Sequence, residues 1–373
     1  MSHVVVLGAG RVGGAMALDL APDFKVTVAD RSEPALARMQ AAGLATRTAD
    51  LASPEAVKTA VADADFVVGA VPGFMGYATA KAVLEAGKPL VDISFFDEDC
   101  FGLDALAKQQ NLTAIVDCGI APGAHAIILG DTARQWDKVT AFECLVGGLP
   151  VIRTWPWEYQ AGFSPIDVIE EYTRPTRYRK DGKEVVYPAL SEAELLDFPG
   201  LGTLEAFNTD GLRSLLKTFP GIPDMKEKTL RYPGHIEKMR MLRESGFFNK
   251  EKISVAGVEI SPLDLTTALL FPMWFMKEGD EDFTVMRVIV EGEQGGRAVR
   301  KELNLLDRYD RATKTTSMAR TTGYTCTAAL RLMARGGFTR TGVCPPEFIG
   351  EVPGAWDFMR AELAQRNVIF TGD

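Results

Sequence analysis

An α/β fold is predicted by two features of the sequence. Short, wholly apolar runs alternate with amphipathic helical patterns through residues 1–122, and a glycine-rich turn joins the first run to the first helix. Apolar strands between amphipathic helices indicate a parallel sheet covered on both faces, and right-handed crossovers make it doubly wound. A third feature, the appearance of hairpin signals after about Pro122, predicts a second α+β domain with an antiparallel or mixed sheet.

Val4 to Leu7 is the first strand and Ala15 to Leu20 the first helix; Lys25 to Ala29 is the next strand, closed by Asp30. Pro34 to Ala42, Pro54 to Ala62, Ala78 to Ala86 and Leu103 to Gln110 carry helical patterns. Phe66 to Ala70, Pro89 to Ile93 and Ala114 to Asp117 are the intervening strands. Beyond Pro122, the stretch Tyr178 to Tyr187 turns at Asp181-Gly182, and Phe283 to Leu305 turns at Gly295-Gly296. Helices are expected at Ser191 to Asp197, Gly211 to Thr218, Lys314 to Ala334 and Trp356 to Arg366, with a strand at Asn367 to Phe370. The expected division is a dinucleotide-binding domain of residues 1–122, completed by 340–373, and a substrate-binding and dimerisation domain of 123–339.

The 373 residues exceed one ordinary core, which agrees with two domains. A net charge of -9 argues against nucleic-acid or anionic-membrane partners, which require a basic face. No apolar stretch reaches the roughly 18 residues of a membrane span. Met1-Ser2-His3-Val4 enters a strand pattern at once, with no signal-peptide features. The five cysteines are scattered without a CxxC pair, so neither a zinc site nor a disulfide framework is indicated, and a reduced, cytoplasmic setting is expected. The three histidines share no metal-ligand spacing, and no metal is expected.

Gly8-Ala9-Gly10-Arg11-Val12-Gly13 follows a strand and opens a helix. Gly8 permits a tight turn, Gly10 lets backbone approach a pyrophosphate, and Gly13 lets helix and strand pack closely. The helix start offers N–H groups and a partial positive charge to phosphates. Asp30 lies about 20 residues past Gly10, where a carboxylate meets a ribose 2′-hydroxyl. Together these features predict a Rossmann domain that binds NAD, because Asp30 repels a 2′-phosphate; Arg31 partly offsets that repulsion. Asp50 and Leu51 end the third strand region and are candidates to flank the adenine, although Asp50 reads equally as a helix-capping acid. Val71 and Pro72 end the fourth strand and are candidates for the nicotinamide ribose.

Asp92-Ile93-Ser94 and Asp117 to Gly123 end the next two strands and put polar side chains near the expected nicotinamide. Asp117 is a candidate to orient a substrate amine, or else a capping or hinge residue. His235, beside Arg231, Pro233 and Gly234, is a candidate proton acceptor. Arg320 stands among small and apolar residues, so its planar fork needs a partner: a substrate carboxylate, or an ion pair inside the protein. Trp155 to Phe163 concentrates aromatics and reads equally as a lid, a pocket wall or a subunit contact.

Gly8-Ala9-Gly10 with Asp30, Asp117 to Gly123, Val146 to Pro150, Leu204 to Gly211, Arg231 to Lys238, Met318 to Thr322 and Gly342 to Glu347 together resemble saccharopine dehydrogenase-like proteins, most closely the lysine 6-dehydrogenases. The sequence departs from the latter pattern at Asp210, at Cys344 and around Phe95-Phe96-Asp97. The resemblance implies NAD-dependent oxidation of the ε-amine of L-lysine to the semialdehyde, with release of ammonia, by a homodimer. It implies Asp117 and His235 as candidates for handling the proton, and Arg320, Arg231 and Thr209 as substrate contacts. Saccharopine or carboxynorspermidine-type dehydrogenases, which act on a secondary amine, are the alternative enzymes. A non-catalytic NAD-binding regulator is the alternative of another class.

Overall fold

A computed structural model describes residues 1–372. In chain order the elements are β1 His3–Leu7, α1 Arg11–Leu20, β2 Lys25–Asp30, α2 Glu33–Ala41, β3 Ala45–Thr48, α3 Pro54–Val61, β4 Phe66–Gly69, α4 Gly73–Glu85, β5 Leu90–Asp92, α5 Asp104–Gln109, β6 Thr113–Ile115 and α6 Ala124–Gln135. They continue as β7 Lys138–Pro150, α7 Pro165–Thr173, β8 Thr176–Lys180, β9 Lys183–Tyr187, β10 Glu194–Phe198, β11 Gly202–Asn208, α8 Leu215–Thr218, β12 Asp224–Arg231, α9 His235–Glu244, β13 Ile253–Val255, β14 Val258–Ile260 and α10 Pro262–Trp274. The last are β15 Asp282–Gln294, β16 Arg297–Arg308, α11 Ser317–Ala334, β17 Gly342–Cys344, α12 Glu347–Gly350, α13 Ala355–Ala364 and β18 Phe370–Gly372.

The chain divides into two compact units. The first comprises Met1–Lys138, Gly292–Ala298 and Met318–Phe370; the second is built mainly of Val139–Glu291 and Val299–Ser317. This differs from the expected division: the boundary lies at 138 rather than 122, and α11, expected in the second domain, belongs to the first unit. An apolar helical pattern records that a helix is buried but not which sheet buries it.

The first unit holds a seven-stranded sheet in the order β17-β6-β5-β4-β1-β2-β3, all pairs parallel. Val4 to Leu7 are fully buried because helices cover both faces. The helices begin where the sequence marks them. Ser32 and Ser53 accept from the backbone of Ala35 and Ala56, each just before a proline in the first turn. One hydrophobic cluster runs from Val5 and Leu7 through Val67, Leu84 and Leu90 to Val343.

The second unit holds a nine-stranded mixed sheet in the order β10-β11-β12-β7-β15-β16-β18, with β8 and β9 attached beside β12. The hairpin turns expected at Asp181-Gly182 and Gly295-Gly296 are present, with positive φ at all four residues. Ser191 to Asp197, expected helical, is instead largely strand β10, paired antiparallel with β11. A seven-residue polar and apolar mixture suits either period, and the partner strand decides. Only Leu215 to Thr218 of the Gly211-to-Thr218 patch is helical. Trp274, Tyr172, Phe207, Leu230 and Met239 anchor this unit's core, each less than 1 % exposed.

Candidate functional site

In the first unit the turn between β1 and α1 is shaped by its glycines. Gly8 has φ +113°, and a β-carbon there would lie 2.5 Å from Ala70 O. A β-carbon on Gly13 would collide with Gly8 O, so the helix closes directly onto the turn. Gly10 is the contrast: it is exposed, caps α1 with no side-chain hydrogen bond, and a β-carbon there meets no atom within 4 Å. The start of α1 therefore has no side-chain cap from Gly10 and leaves open space at that residue, which suits a bound pyrophosphate. Arg11 is exposed and Val12 buried at the start of that helix.

Asp30 ends β2 half-buried. Its carboxylate accepts from the Ala9 N–H at 2.7 Å and from the Ser32 N–H at 2.8 Å, so it braces the glycine turn as well as standing where a ribose would lie. Arg31 is exposed beside it. Asp50 is exposed and accepts from the Ala52 N–H at 3.2 Å, an arrangement typical of an acid closing a turn. The side chains of Leu51 and Val71, expected near the adenine and the nicotinamide ribose, pack into the core cluster. Pro72 is half-buried and precedes α4.

Asp92, at the end of β5, has no measurable exposure. Its Oδ1 accepts from both the N–H and the hydroxyl of Ser94. Its Oδ2 has no hydrogen-bond partner and lies where a β-carbon on Gly69 would collide with it. Burial first, with the charge of Asp117 adding to it and the two Ser94 donors opposing, pushes this carboxyl up to about 7. Asp117 follows β6 with φ +52° and is 2 % exposed. A β-carbon on Gly119 would stand 3.1 Å from both Pro122 O and Thr322 Cγ2. The Met318-to-Thr322 segment of α11 thus borders the turn that carries Asp117. Arg320, on that segment, is buried, donates to Arg366 O at 2.9 Å, and lies 5.8 Å from the Tyr324 ring.

The other sequence candidates lie in the second unit. His235 is 1 % exposed. Its Nδ1 lies 2.8 Å from Trp157 O, which can only accept, so Nδ1 carries the proton. Nε2, 2.9 Å from Tyr172 OH, is then the acceptor. Arg231 donates Nε to the same hydroxyl at 3.0 Å, Nη2 to Glu171 at 2.6 Å and Nη1 to Leu230 O at 3.0 Å, and its guanidinium stacks 4.5 Å from the Tyr159 ring. Burial, then the nearby Arg231 charge, pushes His235 down to about 3. In this arrangement the one basic lone pair of His235, expected as a proton acceptor, accepts from Tyr172. Thr209 is likewise committed, donating to Glu227 Oε2 at 2.7 Å and sharing a bond with Thr229 at 2.9 Å. Burial pushes Glu227 up to about 8.

The aromatic stretch is mixed in character. Trp155 is 75 % exposed, whereas Trp157 and Tyr159 pack edge-on against Trp274 in the core. Asp210 is buried and paired with Arg177 at 2.8 Å. Sequence reasoning placed Asp92 at the sheet edge but did not enter it among the site residues. It missed Glu171 altogether, because a glutamate in an ordinary amphipathic helix carries no signal of its partner. Among the described residues, no group of three or more His, Cys, Asp or Glu side chains could hold a metal. No helix among them is long and apolar enough to cross a membrane.

Two family models match the chain: the saccharopine dehydrogenase NADP binding domain over residues 4–115, and the saccharopine dehydrogenase C-terminal domain over residues 115–369. The chain is 26% identical over 265 residues to the saccharopine dehydrogenase [NADP(+), L-glutamate-forming] of Pyricularia oryzae, covering 67% of this chain and 58% of that protein. It is 27% identical over 223 residues to the alpha-aminoadipic semialdehyde synthase of Arabidopsis thaliana, covering 54% of this chain and 20% of the relative. The matched regions thus span between about a fifth and six-tenths of these curated relatives. The solved apo saccharopine dehydrogenase (L-Glu forming) of Saccharomyces cerevisiae shares the fold, with a TM-score of 0.78, 20% identity and full coverage of both chains. With models covering both of its parts, the chain belongs to the saccharopine dehydrogenase family.

Proposed function

We propose that this chain is an NAD-dependent oxidoreductase acting on a carbon that bears an amine, with the ε-amine of L-lysine as substrate. One observation carries the reading: the first unit's sheet presents an open anion-binding turn and two buried carboxyl groups on the same edge. Its strands are parallel, so the turns after β1, β5 and β6 share that edge. β5 lies two strands from β1, or roughly 10 Å at the usual strand spacing, which is within the reach of an extended dinucleotide. Gly10 and the α1 start would hold the pyrophosphate and Asp30 the adenosine ribose. The nicotinamide, when bound, supplies the hydride acceptor.

The protein's own task is the proton. A lysine ammonium ionises near pH 10, about 10.4 in water, and only the neutral amine can expel hydride. We assign Asp117 to hold the ammonium and receive its proton, and Arg320, on the neighbouring α11 segment, to anchor the α-carboxylate. His235, Arg231 and Thr209 are assigned to the interior of the second unit. The alternative substrate, saccharopine, is favoured by the names of the matching family models and relatives.

The test is nucleotide reduction, followed by absorbance, with lysine, saccharopine and cadaverine, each with NAD and with NADP. Lysine alone should support reduction, and cadaverine, which lacks the carboxylate, should show kcat/KM lower by about 100-fold, the scale of one lost charge-assisted pair. Turnover of saccharopine but not lysine transfers the assignment to the secondary-amine reaction. Binding of cofactor with no turnover of any amine points to a regulator.

Cofactor choice is a separate expectation. The matching model is described as NADP binding, but Asp30 places a carboxylate at the end of β2 and thereby supports NAD. Asp30→Ser should move the NAD:NADP efficiency ratio toward NADP by about tenfold or more, since one unfavourable charge contact is worth about 1.4 kcal/mol or more at this range. The same change removes the brace on Ala9, so NAD affinity should fall as well. Equal or better wild-type efficiency on NADP defeats the assignment. A homodimer is supported by α10, which exposes Leu265, Leu269 and Met273 at helical spacing; sedimentation velocity measures it.

A further inference from the structure

One aromatic ring of the first unit stands in solvent. Phe74 is 74 % exposed, and among the described residues it is the only exposed aromatic side chain of that unit. Exposure alone says little, since single apolar side chains are common on protein surfaces. Its place carries the weight. Phe74 is the second residue of α4, and the chain is pinned on both sides of it. Before it, Ala70 packs on the glycine turn: a β-carbon on Gly8 would lie 2.5 Å from Ala70 O, and one on Gly13 would lie 3.2 Å from Ala70 Cβ. The Ala70 N–H also donates to Leu7 O at 2.9 Å. After it, a β-carbon on Gly76 would collide with Ser94 Oγ, so the first turn of α4 lies directly on the strand end that carries Asp92 and Ser94. The ring therefore projects from a short segment fixed between the phosphate turn and the end of β5.

The sheet order says which part of a dinucleotide lies there. β4 stands between β1 and β5, whereas β2, with Asp30 at its end, lies on the other side of β1. With the pyrophosphate at the turn after β1 and the adenosine ribose at Asp30, the rest of the cofactor continues over the end of β4. The group beyond the second ribose is the nicotinamide. It is planar and, when oxidised, a pyridinium cation. The face of a phenyl ring carries partial negative charge and attracts such a cation.

We propose that Phe74 is a cofactor-contacting residue that meets the nicotinamide ring and favours its oxidised, cationic form. The proposal rests on the nicotinamide-cofactor reading and holds for NAD and NADP alike, whichever amine is oxidised. Hydride addition converts the pyridinium to a neutral dihydropyridine, so this attraction is lost as the reduced cofactor forms.

Calorimetric titration of the whole protein tests it with three probes. These are the oxidised dinucleotide that the wild type binds more tightly, its reduced form, and ADP-ribose, which keeps the pyrophosphate and both riboses but has no nicotinamide. Phe74→Ala should weaken the oxidised dinucleotide by about tenfold, the scale of one partly desolvated cation–π contact. The reduced form should weaken by about threefold or less, and ADP-ribose should stay within about twofold, because neither offers a cation to the ring. Phe74→Trp should keep the wild-type affinity for the oxidised form, since indole is the better partner for a cation. Phe74→Leu, which has apolar bulk but no ring face, should behave like the alanine variant. The exposed position means that none of these changes opens a cavity, so thermal melting should be close to wild type. Unchanged affinity for the oxidised dinucleotide in Phe74→Ala overturns the contact. Equal losses for that dinucleotide and ADP-ribose overturn its placement at the nicotinamide, and equal losses for the oxidised and reduced forms overturn the preference for the cation. A wild type that binds none of the three probes defeats the cofactor reading itself, a result that no Phe74 variant can produce.

Discussion

Gly10→Val is expected to give a folded protein whose affinity for nicotinamide dinucleotide has fallen by at least about 100-fold, or roughly 2.7 kcal/mol. The fold should tolerate valine because Gly10 has φ −66° and ψ −172°, extended backbone open to any residue, and because a β-carbon meets nothing within 4 Å. That open space is what a ligand needs. An isopropyl group there stands in front of the uncapped N–H groups of α1 and keeps a pyrophosphate at a distance. Gly13→Val is the control with the opposite physics. Its β-carbon would collide with Gly8 O inside the turn, so stability should collapse rather than binding alone. Circular dichroism and thermal melting separate the two variants, and calorimetric titration with NAD measures affinity. A folded Gly10→Val protein with wild-type affinity would show that this turn does not hold the cofactor.

Arg231→Ala should destabilise the second unit by about 3–5 kcal/mol, the range for breaking a buried ion pair from one side. The cost has three sources. Glu171 loses its counter-ion, Tyr172 OH loses a donor, and the Tyr159 ring loses the guanidinium stacked 4.5 Å away. Burial already pushes Glu171 up, opposed mainly by the Arg231 charge, so removing that charge leaves the carboxyl to take a proton. Adding Glu171→Gln to an Arg231→Met variant should therefore recover a large part of the loss, because neither partner then buries an uncompensated charge. Urea unfolding followed by tryptophan fluorescence reports on this region through Trp157 and Trp274, whose rings lie 6.5 Å apart. An Arg231→Ala protein with the wild-type midpoint would mean that the arginine is not committed to the interior and would return it to the substrate contacts.

The sequence by itself determined the parallel sheet and its phosphate turn. Each depends on a local pattern: apolar runs long enough to be buried on both faces, glycines at fixed offsets, and an acid at the end of β2. The helical patterns opening at Pro34 and Pro54 were legible for the same reason, and the caps made by Ser32 and Ser53 are closed within one turn of helix. What depended on partners distant in the chain was settled only by tertiary structure. Strand β10 is a strand because β11 pairs with it, and α11 belongs to the first unit because Gly323 admits Met16 of α1 against it. His235 carried the sequence marks of a reactive residue, but Tyr172 and Trp157, 63 and 78 residues away, occupy both of its nitrogens. Asp92 looked like one more acid at a strand end. Its environment emerged only when the fold set Ser94 on one oxygen and Gly69 against the other in a fully buried site, because a carboxyl group's proton affinity is set by what surrounds it in space rather than by its neighbours in sequence.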